Sequence, residues 1–328
     1  MGEKKIVPGS EVENNLNQLL SHRLAGDPDN AAIVYTDLSP QQLSERLTPL
    51  GTPASRETIR QWMDTENLRL RQIEKVLSCG HSEHREQQFE RIGELIETYQ
   101  SMGNPVFSVD TKAKEYLGQL YRRGRVRSKK AFQAFDHDFP SLATGVIIPH
   151  GIYDLQRNHG HINIGLSHDT TQFACDSLRT FWEGYGPQHY PTARSILLLC
   201  DCGGSNSALK YIFKYDLQTL ANGLGLEIRV AHYPSYCSKY NPIERRFFPH
   251  VARACAGMLF DNLETVVNLI GKTATKTGLT TSVNVIHQKY LTGRNATEEI
   301  KQNLKIVFDD LLPKWNYRAI PANPTLIY

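Results

Sequence analysis

Apolar positions along this chain recur in two rhythms, and the change near residue 105 divides it. Before that point the spacing is helical. Leu43 and Leu47, then Ile59, Trp62 and Met63, fall three or four residues apart. Ser39-Pro40 supplies an N-cap and a first-turn proline for the first of these helices. The stretch Thr48-Pro49-Leu50-Gly51-Thr52-Pro53 ends it, and a second helix begins near Ser55 with Arg56, Arg60 and Gln61 facing outward. Helix, Gly/Pro turn, helix predicts a helix-turn-helix near 38–64, although a plain helical hairpin would have the same pattern. Weaker signals predict a helix around Glu11–Leu24 and a longer polar helix around Glu83–Gln100.

From Pro105 onward, short apolar runs alternate with helical segments. Val106–Val109, Gly145–Tyr153 and His161–Leu166 read as strands, and Thr171–Gly184 as a helix through Phe173, Leu178 and Trp182. Ser195–Cys200 is a continuous apolar run of the kind a buried central strand requires. A helix over Ser207–Leu224, a strand over Glu227–His232 and a helix from Pro242 to about Ala256 follow. Three strands, then helix, strand, helix, strand, helix, is the order of a ribonuclease H-like α/β domain, a mixed sheet flanked by helices. The expected organisation is therefore a small helical region over 1–100 and a ribonuclease H-like domain over 101–328.

Composition narrows the setting. The 328 residues are 40% apolar and 22% charged, as in an ordinary globular protein with a sizeable core. No apolar run is long enough for a membrane span, and the polar N-terminus has no signal-peptide core. Six scattered cysteines suit a reducing cytosol. Net charge is only +3, but residues 1–100 hold 11 basic against 16 acidic residues, leaving 26 against 18 for the remainder. The densest basic run is Arg122, Arg123, Arg125, Arg127, Lys129 and Lys130, with no acid among them. Such a run follows a phosphate backbone without reading sequence, though it would equally suit a solvated hairpin tip.

Three acids stand in chemically loaded contexts: Asp110 in NPVFSVDTK, Asp201 in SILLLCDCGGSN, and Glu244 in YNPIERRF. A carboxylate at the end of a buried strand is costly unless it holds a cation. Gathered together, the three would form an oxygen-rich pocket for hard divalent metals, of the kind that cuts and rejoins phosphodiester bonds. Each acid also has a plainer explanation. Asp110 could pair with Lys112 or Lys114, Asp201 could cap the following helix, and Glu244 fits a capping box behind Asn241-Pro242. In a strand Asp201 points away from the layer that takes Cys200 and Cys202. The Gly203-Gly204-Ser205-Asn206 turn lets a phosphate or metal approach, and Asn206 could orient a nucleophile or a water. Lys239, Arg245 and Arg246 flank the third acid and are placed to meet DNA phosphates. His137, Asp138 and His232 could touch DNA or a metal-bound water, although ordinary hydrogen-bonded histidines are the plainer reading. Cys79, His81 and His84 lack a fourth ligand for zinc.

Ser108-Val109-Asp110-Thr111-Lys112, Asp136-His137-Asp138-Phe139, Asp201 through Asn206, and Ser238 through Phe247 together resemble the motifs of DDE transposases of bacterial insertion sequences. The likeness is to the Rhodopirellula-type transposase family, relatives of mariner elements, and runs from about Leu38 to Pro321, including Trp315-Asn316-Tyr317. It implies that Asp110, Asp201 and Glu244 are the catalytic, metal-binding triad. The implied cofactor is a pair of Mg²⁺ ions, with Mn²⁺ as a substitute. The implied partners are double-stranded DNA, as terminal inverted repeats and target, and a second copy of the chain or more in a synaptic complex. No membrane is involved, and the expected location is bacterial, cytoplasmic and nucleoid-associated. Two departures stand out. The family's Pro-Pro-Gly-Thr and Trp are replaced by Tyr233-Pro234-Ser235-Tyr236-Cys237 and Tyr240. The N-terminus is also short, which predicts that part of the DNA-binding region is missing. A catalytically inactive or domesticated DNA-binding relative is the alternative function, and a cellular nuclease of the same fold a third.

Overall fold

The computed structural model of the chain describes residues 5–21, 24–27, 30–70, 84–135, 140–206, 208 and 210–322, with the side chains of 21–35, 140 and 206 outside the description. The Asp136–Phe139 motif, Cys79, His81 and the Asn206 side chain therefore lie outside the described residues. Two compact units divide the chain, Met1–Val76 and Leu77–Tyr328.

The first unit contains α1 (Glu11–Ser21), a two-stranded antiparallel pair β1 (Leu24–Asp27) and β2 (Asn30–Thr36), α2 (Pro40–Leu47) and α3 (Arg56–Thr65). Ser39 and Gln42 close a reciprocal capping box on α2, and Ser55 caps α3 through the Thr58 amide. Leu16, Leu20, Leu38, Leu43, Leu47, Ile59, Trp62 and Met63 form one buried cluster, so the apolar stripes face inward as their spacing predicts. The first expected helix stops at Ser21 and a β-pair follows it. That pair was not foreseen.

The second unit opens with α4 (Arg85–Ser101). It lies inside the second unit, past the division at Val76, and not in the helical region expected over 1–100. Its Ile92, Leu95 and Tyr99 pack on Val106, Leu197 and Leu199, and Gln88 donates to the His232 carbonyl at 2.9 Å and to Asn316 Oδ1 at 3.0 Å. A helix so committed belongs to the sheet behind it. The mostly polar exposed face hid that in the sequence.

Next come β3 (Val106–Thr111), β4 (Glu115–Leu117), β5 (Gly145–Asp154), β6 (His159–Gly165), α5 (Thr171–His189), β7 (Ser195–Cys200), α6 (Tyr211–Leu224) and β8 (Glu227–His232). The unit closes with α7 (Pro242–Arg246), α8 (Phe248–Cys255), α9 (Leu263–Gly271), β9 (Thr280–Ile286), α10 (Glu298–Asn303), β10 (Ile306–Phe308) and β11 (Asn316–Ala319). Among the described residues nine strands form one mixed sheet in the order β10-β11-β8-β7-β3-β5-β6-β9, with β4 on β5. β3, β7 and β8 run parallel, while β5 is antiparallel to both β3 and β6. This is the ribonuclease H-like mixed α/β architecture. Helices α5 and α6 cover one face through Phe107, Ile196, Leu198 and Phe213, and α4 and α7–α9 cover the other. No helix among the described residues is long and apolar enough to cross a membrane. The five described cysteines are free thiols.

Close approach of helix to sheet depends on two glycines. A Cβ at Gly160 would lie 2.2 Å from Phe247, and one at Gly151 would lie 2.5 Å from Phe248 and 2.8 Å from Ile243. Gly184, inside α5, has open space around it. Gly160→Ala is therefore expected to lose about 1–3 kcal/mol in urea denaturation through overpacking. Gly184→Ala is expected to gain roughly 0.5–1 kcal/mol from helix propensity. Equal effects at the two positions would contradict the packing described.

Candidate active site

Parallel neighbours in a sheet present their carboxyl ends at one edge, and two of the acids stand there. Asp110 is in the last turn of the pleat of β3, and Asp201 follows β7 directly. Strand alternation puts Val106 and Ser108 on the α4 face, together with Leu197 and Leu199 of β7. Asp110 and Asp201 continue those two rows. Cys200 goes the other way, into the cluster beneath α5 and α6, as the alternation predicts.

The third acid is held by a buried polar clamp. Asn241 precedes α7, yet its side chain does not cap that helix. Instead the Ser108 hydroxyl donates to Asn241 Oδ1 at 2.5 Å, Asn241 Nδ2 donates to the Val109 carbonyl at 3.1 Å, and the Ile243 amide donates to Ser108 Oγ at 2.9 Å. The capping-box explanation of Glu244 thus fails, because its N-cap side chain is engaged across the fold on β3. The room Gly151 leaves for Ile243 and Phe248 completes the seat of α7 against β3 and β5.

Glu244 consequently acts on the Asp110 carboxyl. Burial first, then the Asp201 charge, then the Glu244 contact and charge push the Asp110 carboxyl up to about 8. Asp201 is also raised, by burial, with the Gly203 amide opposing and the Asp169 charge adding to the shift. The plainer explanations of these two acids fall away as well. Lys112 pairs with Glu115 at 2.6 Å, and among the described residues Lys114 acts on Asp169 and forms no ion pair with Asp110. Lys210 is the N-cap of α6, while Asp201 accepts locally from the Gly203 amide at 3.2 Å.

Behind Asp201, His232 is fully buried. Its Nδ1 faces the Asp201 carbonyl at 2.8 Å and its Nε2 faces the Tyr317 hydroxyl at 2.9 Å. A carbonyl only accepts, so Nδ1 carries the proton and Nε2 accepts from Tyr317. Burial lowers this imidazole to about 4, so it stays neutral. Both its ring nitrogens are engaged inside the protein, where it fixes the backbone of Asp201. Asn316 is tied to Gln88 through both amide groups at 3.0 and 2.7 Å. Gln88, Ser108, Asn241, Tyr317 and Gly151 were not singled out from sequence for these duties. Their partners lie 85 to 228 residues away in the chain, and Gly151 meets Ile243 and Phe248 on the helices packed over it.

The donor set fits a hard divalent cation, since it is all oxygen and carries mutual repulsion that a cation would relieve. It is not a ready-made coordination sphere. Among the described residues no three His, Cys, Asp or Glu side chains already converge as metal ligands, and the Thr111 and Gly203 amides occupy one oxygen each of Asp110 and Asp201.

The basic residues divide into anchored and exposed sets. Arg122 must be corrected. Its guanidinium lies 3.5 Å from the Phe260 ring centre, donates to the Tyr116 carbonyl at 2.7 Å and pairs with Glu115 at 3.1 Å, so it roots the basic segment. Gly124 then crosses Gly257 at a distance no side chain would allow. Arg123, just before that crossing, and Arg125, Arg127, Lys129 and Lys130 after it are exposed. Lys239 and Arg245 lie at the Tyr240 ring, 5.2 and 5.9 Å from its centre, and Arg246 is exposed near Tyr153. In the first unit Arg56 is exposed, whereas Arg60 is engaged by Glu57 at 2.5 Å and Asp64 at 2.9 Å.

A mixed sheet flanked by helices, with two acids at the ends of adjacent parallel strands and a third on a helix fastened to one of them, is the setting of the site. The chain belongs to the Rhodopirellula transposase DDE domain family, which matches residues 15–321. It is a transposase-family protein. Among solved structures it is similar to the Mos1 transposase paired-end complex with left transposon end, at 15% identity over 81% of this chain and 71% of that one, TM-score 0.43. It is likewise similar to the mariner Mos1 paired end complex with Mg, at 13% identity over 81% and 72%, TM-score 0.43. No curated protein matches it.

Asp110 gives a pH signature. Between the ordinary carboxylate range and about 8 the folded protein keeps a proton there that the unfolded chain releases. Without divalent ions, stability therefore falls as pH rises through that window. Asp110→Asn is expected to flatten the fall. Its melting temperature should match the parent near pH 4 and exceed it at pH 8.5 by several degrees, roughly 2–4 °C per kcal/mol of repulsion relieved. Parallel pH–stability curves would show that Asp110 does not carry the raised proton affinity.

Proposed function

We propose that the chain is the DNA transposase of a bacterial insertion sequence, with Asp110, Asp201 and Glu244 as its catalytic and metal-binding triad. The observation that carries this reading is the buried clamp that fastens the helix bearing Glu244 to the strand bearing Asp110, with Glu244 and Asp201 both raising the proton affinity of Asp110. Family membership supports the same conclusion. A protein that only bound DNA would have no use for carboxylates held at such electrostatic cost.

Divalent ions bound here, two Mg²⁺ or in substitution Mn²⁺, would stabilise charge on the entering and leaving oxygens of a phosphodiester. Asp110, Asp201 and Glu244 would hold these ions. His232 and Tyr317 keep the Asp201 backbone in register, and the Ser108–Asn241 clamp does the same for Glu244. Water displaces the 3′ oxygen at an element end, and the freed 3′-OH then displaces a 3′ oxygen in target DNA. Arg123, Arg125, Arg127, Lys129 and Lys130 bear on the phosphate backbone, and Lys239, Arg245 and Arg246 on phosphates beside the acids. The helix pair α2–α3, with Arg56 exposed, engages the terminal inverted repeats. Two or more copies of the chain bring the ends together, in a cytoplasmic, nucleoid-associated setting.

The test uses end-containing DNA with Mg²⁺ or Mn²⁺. The parent protein should nick it at the element end. Asp110→Asn and Glu244→Gln should each lose activity on the order of 10³-fold while retaining end binding in a gel-shift assay. Undiminished nicking by either variant removes the triad assignment. End binding by the parent with no cleavage under either metal would favour the non-catalytic alternative.

A further inference from the structure

A fourth carboxylate stands beside the three acids. Asp169 lies between β6 and α5, four residues beyond the end of β6. It looks at first like the start of a helix, but it does not cap α5. Thr170 does that, its hydroxyl accepting from the Phe173 amide at 3.1 Å. Thr171, the next residue, donates to the buried Asp216 instead. The Asp169 side chain turns towards the acid cluster. It accepts from the hydroxyl of Thr111, the neighbour of Asp110, at 3.3 Å, and from Ser205 in the turn after Asp201.

Three facts give this arrangement a direction. Asp169 makes no ion pair among the described residues; Lys114 and Lys210 act on it only at longer range. Its charge is one of the causes that raise Asp201, so the two carboxylates act on each other. Burial raises Asp169 itself. It also forms the wall, with Gly204, Ser205, Lys210 and Tyr211, of an open cavity of about 490 Å³ running away from the triad. A half-buried acid with no capping duty and no cationic partner, placed against another acid, is destabilising unless a cation offsets both.

We propose that Asp169 is a positioning residue of the cation site, steadying the Asp110–Thr111 strand end and the Ser205 turn and adding outer-sphere negative charge on the Asp201 side. The inference rests on the triad reading given above. Outer-sphere partners that orient ligands and tune a bound ion are typically worth about 10–100-fold in affinity.

The experiment is a titration of the full chain with Mn²⁺ alone, without DNA, followed by electron paramagnetic resonance of the free ion. Circular-dichroism melts accompany each variant. Asp169→Asn, which can still accept from Thr111, is expected to bind Mn²⁺ about 10-fold more weakly with an unchanged fold, and Asp169→Glu to recover part of the loss. Thr111→Val, a residue that suits a strand, should weaken binding in the same direction by a smaller factor, and it provides the readout if Asp169→Asn does not fold. Parent-like affinity in Asp169→Asn, or in Thr111→Val where that variant is the readout, overturns the proposal if Asp201→Asn loses Mn²⁺. The triad then stands without Asp169. Parent-like affinity in Asp110→Asn and Asp201→Asn as well would remove the triad reading, and this inference with it.

Discussion

The hydroxyl of Ser108, buried two residues before Asp110 on the same strand face, ties the acids together. It donates to Asn241 and accepts from the Ile243 amide, so the helix bearing Glu244 is fastened to the strand bearing Asp110. Both Ser108 and Asn241 are wholly buried, where a hydrogen bond is hard to exchange for water and expensive to leave unmade. The interior thus fixes how far Glu244 stands from Asp110. The break between α7 and α8 at Phe247 follows from the same seat, since Phe247 must lie against Gly160 while α7 stays over Gly151.

That rigidity creates an electrostatic problem with a chemical use. Carboxylates held against one another cannot all ionise in the absence of a cation, and Asp110 takes most of the shift. Aqueous lysines do not resolve it: Lys112 is held by Glu115. His232, a cation elsewhere in many proteins, is locked neutral between a carbonyl and a tyrosine. Among the described residues no lysine or arginine forms an ion pair with Asp110, Asp201 or Glu244, while an exposed basic segment is rooted by Arg122 on Phe260 and by the Gly124–Gly257 crossing. A divalent cation would relieve the repulsion that a proton on Asp110 otherwise relieves.

Much of this was legible in the sequence, for identifiable reasons. β7 and β8 match their expected ranges residue for residue because Ser195–Cys200 and Glu227–His232 are short runs bounded by turn residues. The alternation that separates Asp201 from Cys200 could be read directly. What escaped notice depends on distance or on weak periodicity. β9, Thr280–Ile286, is a half-buried edge strand rich in Thr, Ser and Asn, with no clean alternation of apolar residues. Asn241 has the sequence of a cap, and only its contact with Ser108, 133 residues away, shows otherwise. Arg122 is indistinguishable by type from the exposed arginines after it, yet it is a structural anchor. Asp169 lay unremarked at a helix start, where Asp is common.

The central claim is that Asp110, Asp201 and Glu244 together form a binding site for divalent cations. Crystals soaked in Mn²⁺, with anomalous diffraction recorded at the manganese edge, test it most directly. The account predicts anomalous density enclosed by these three carboxylates. Ordered carboxylates with no density between them, and manganese bound only elsewhere on the molecule, would contradict it.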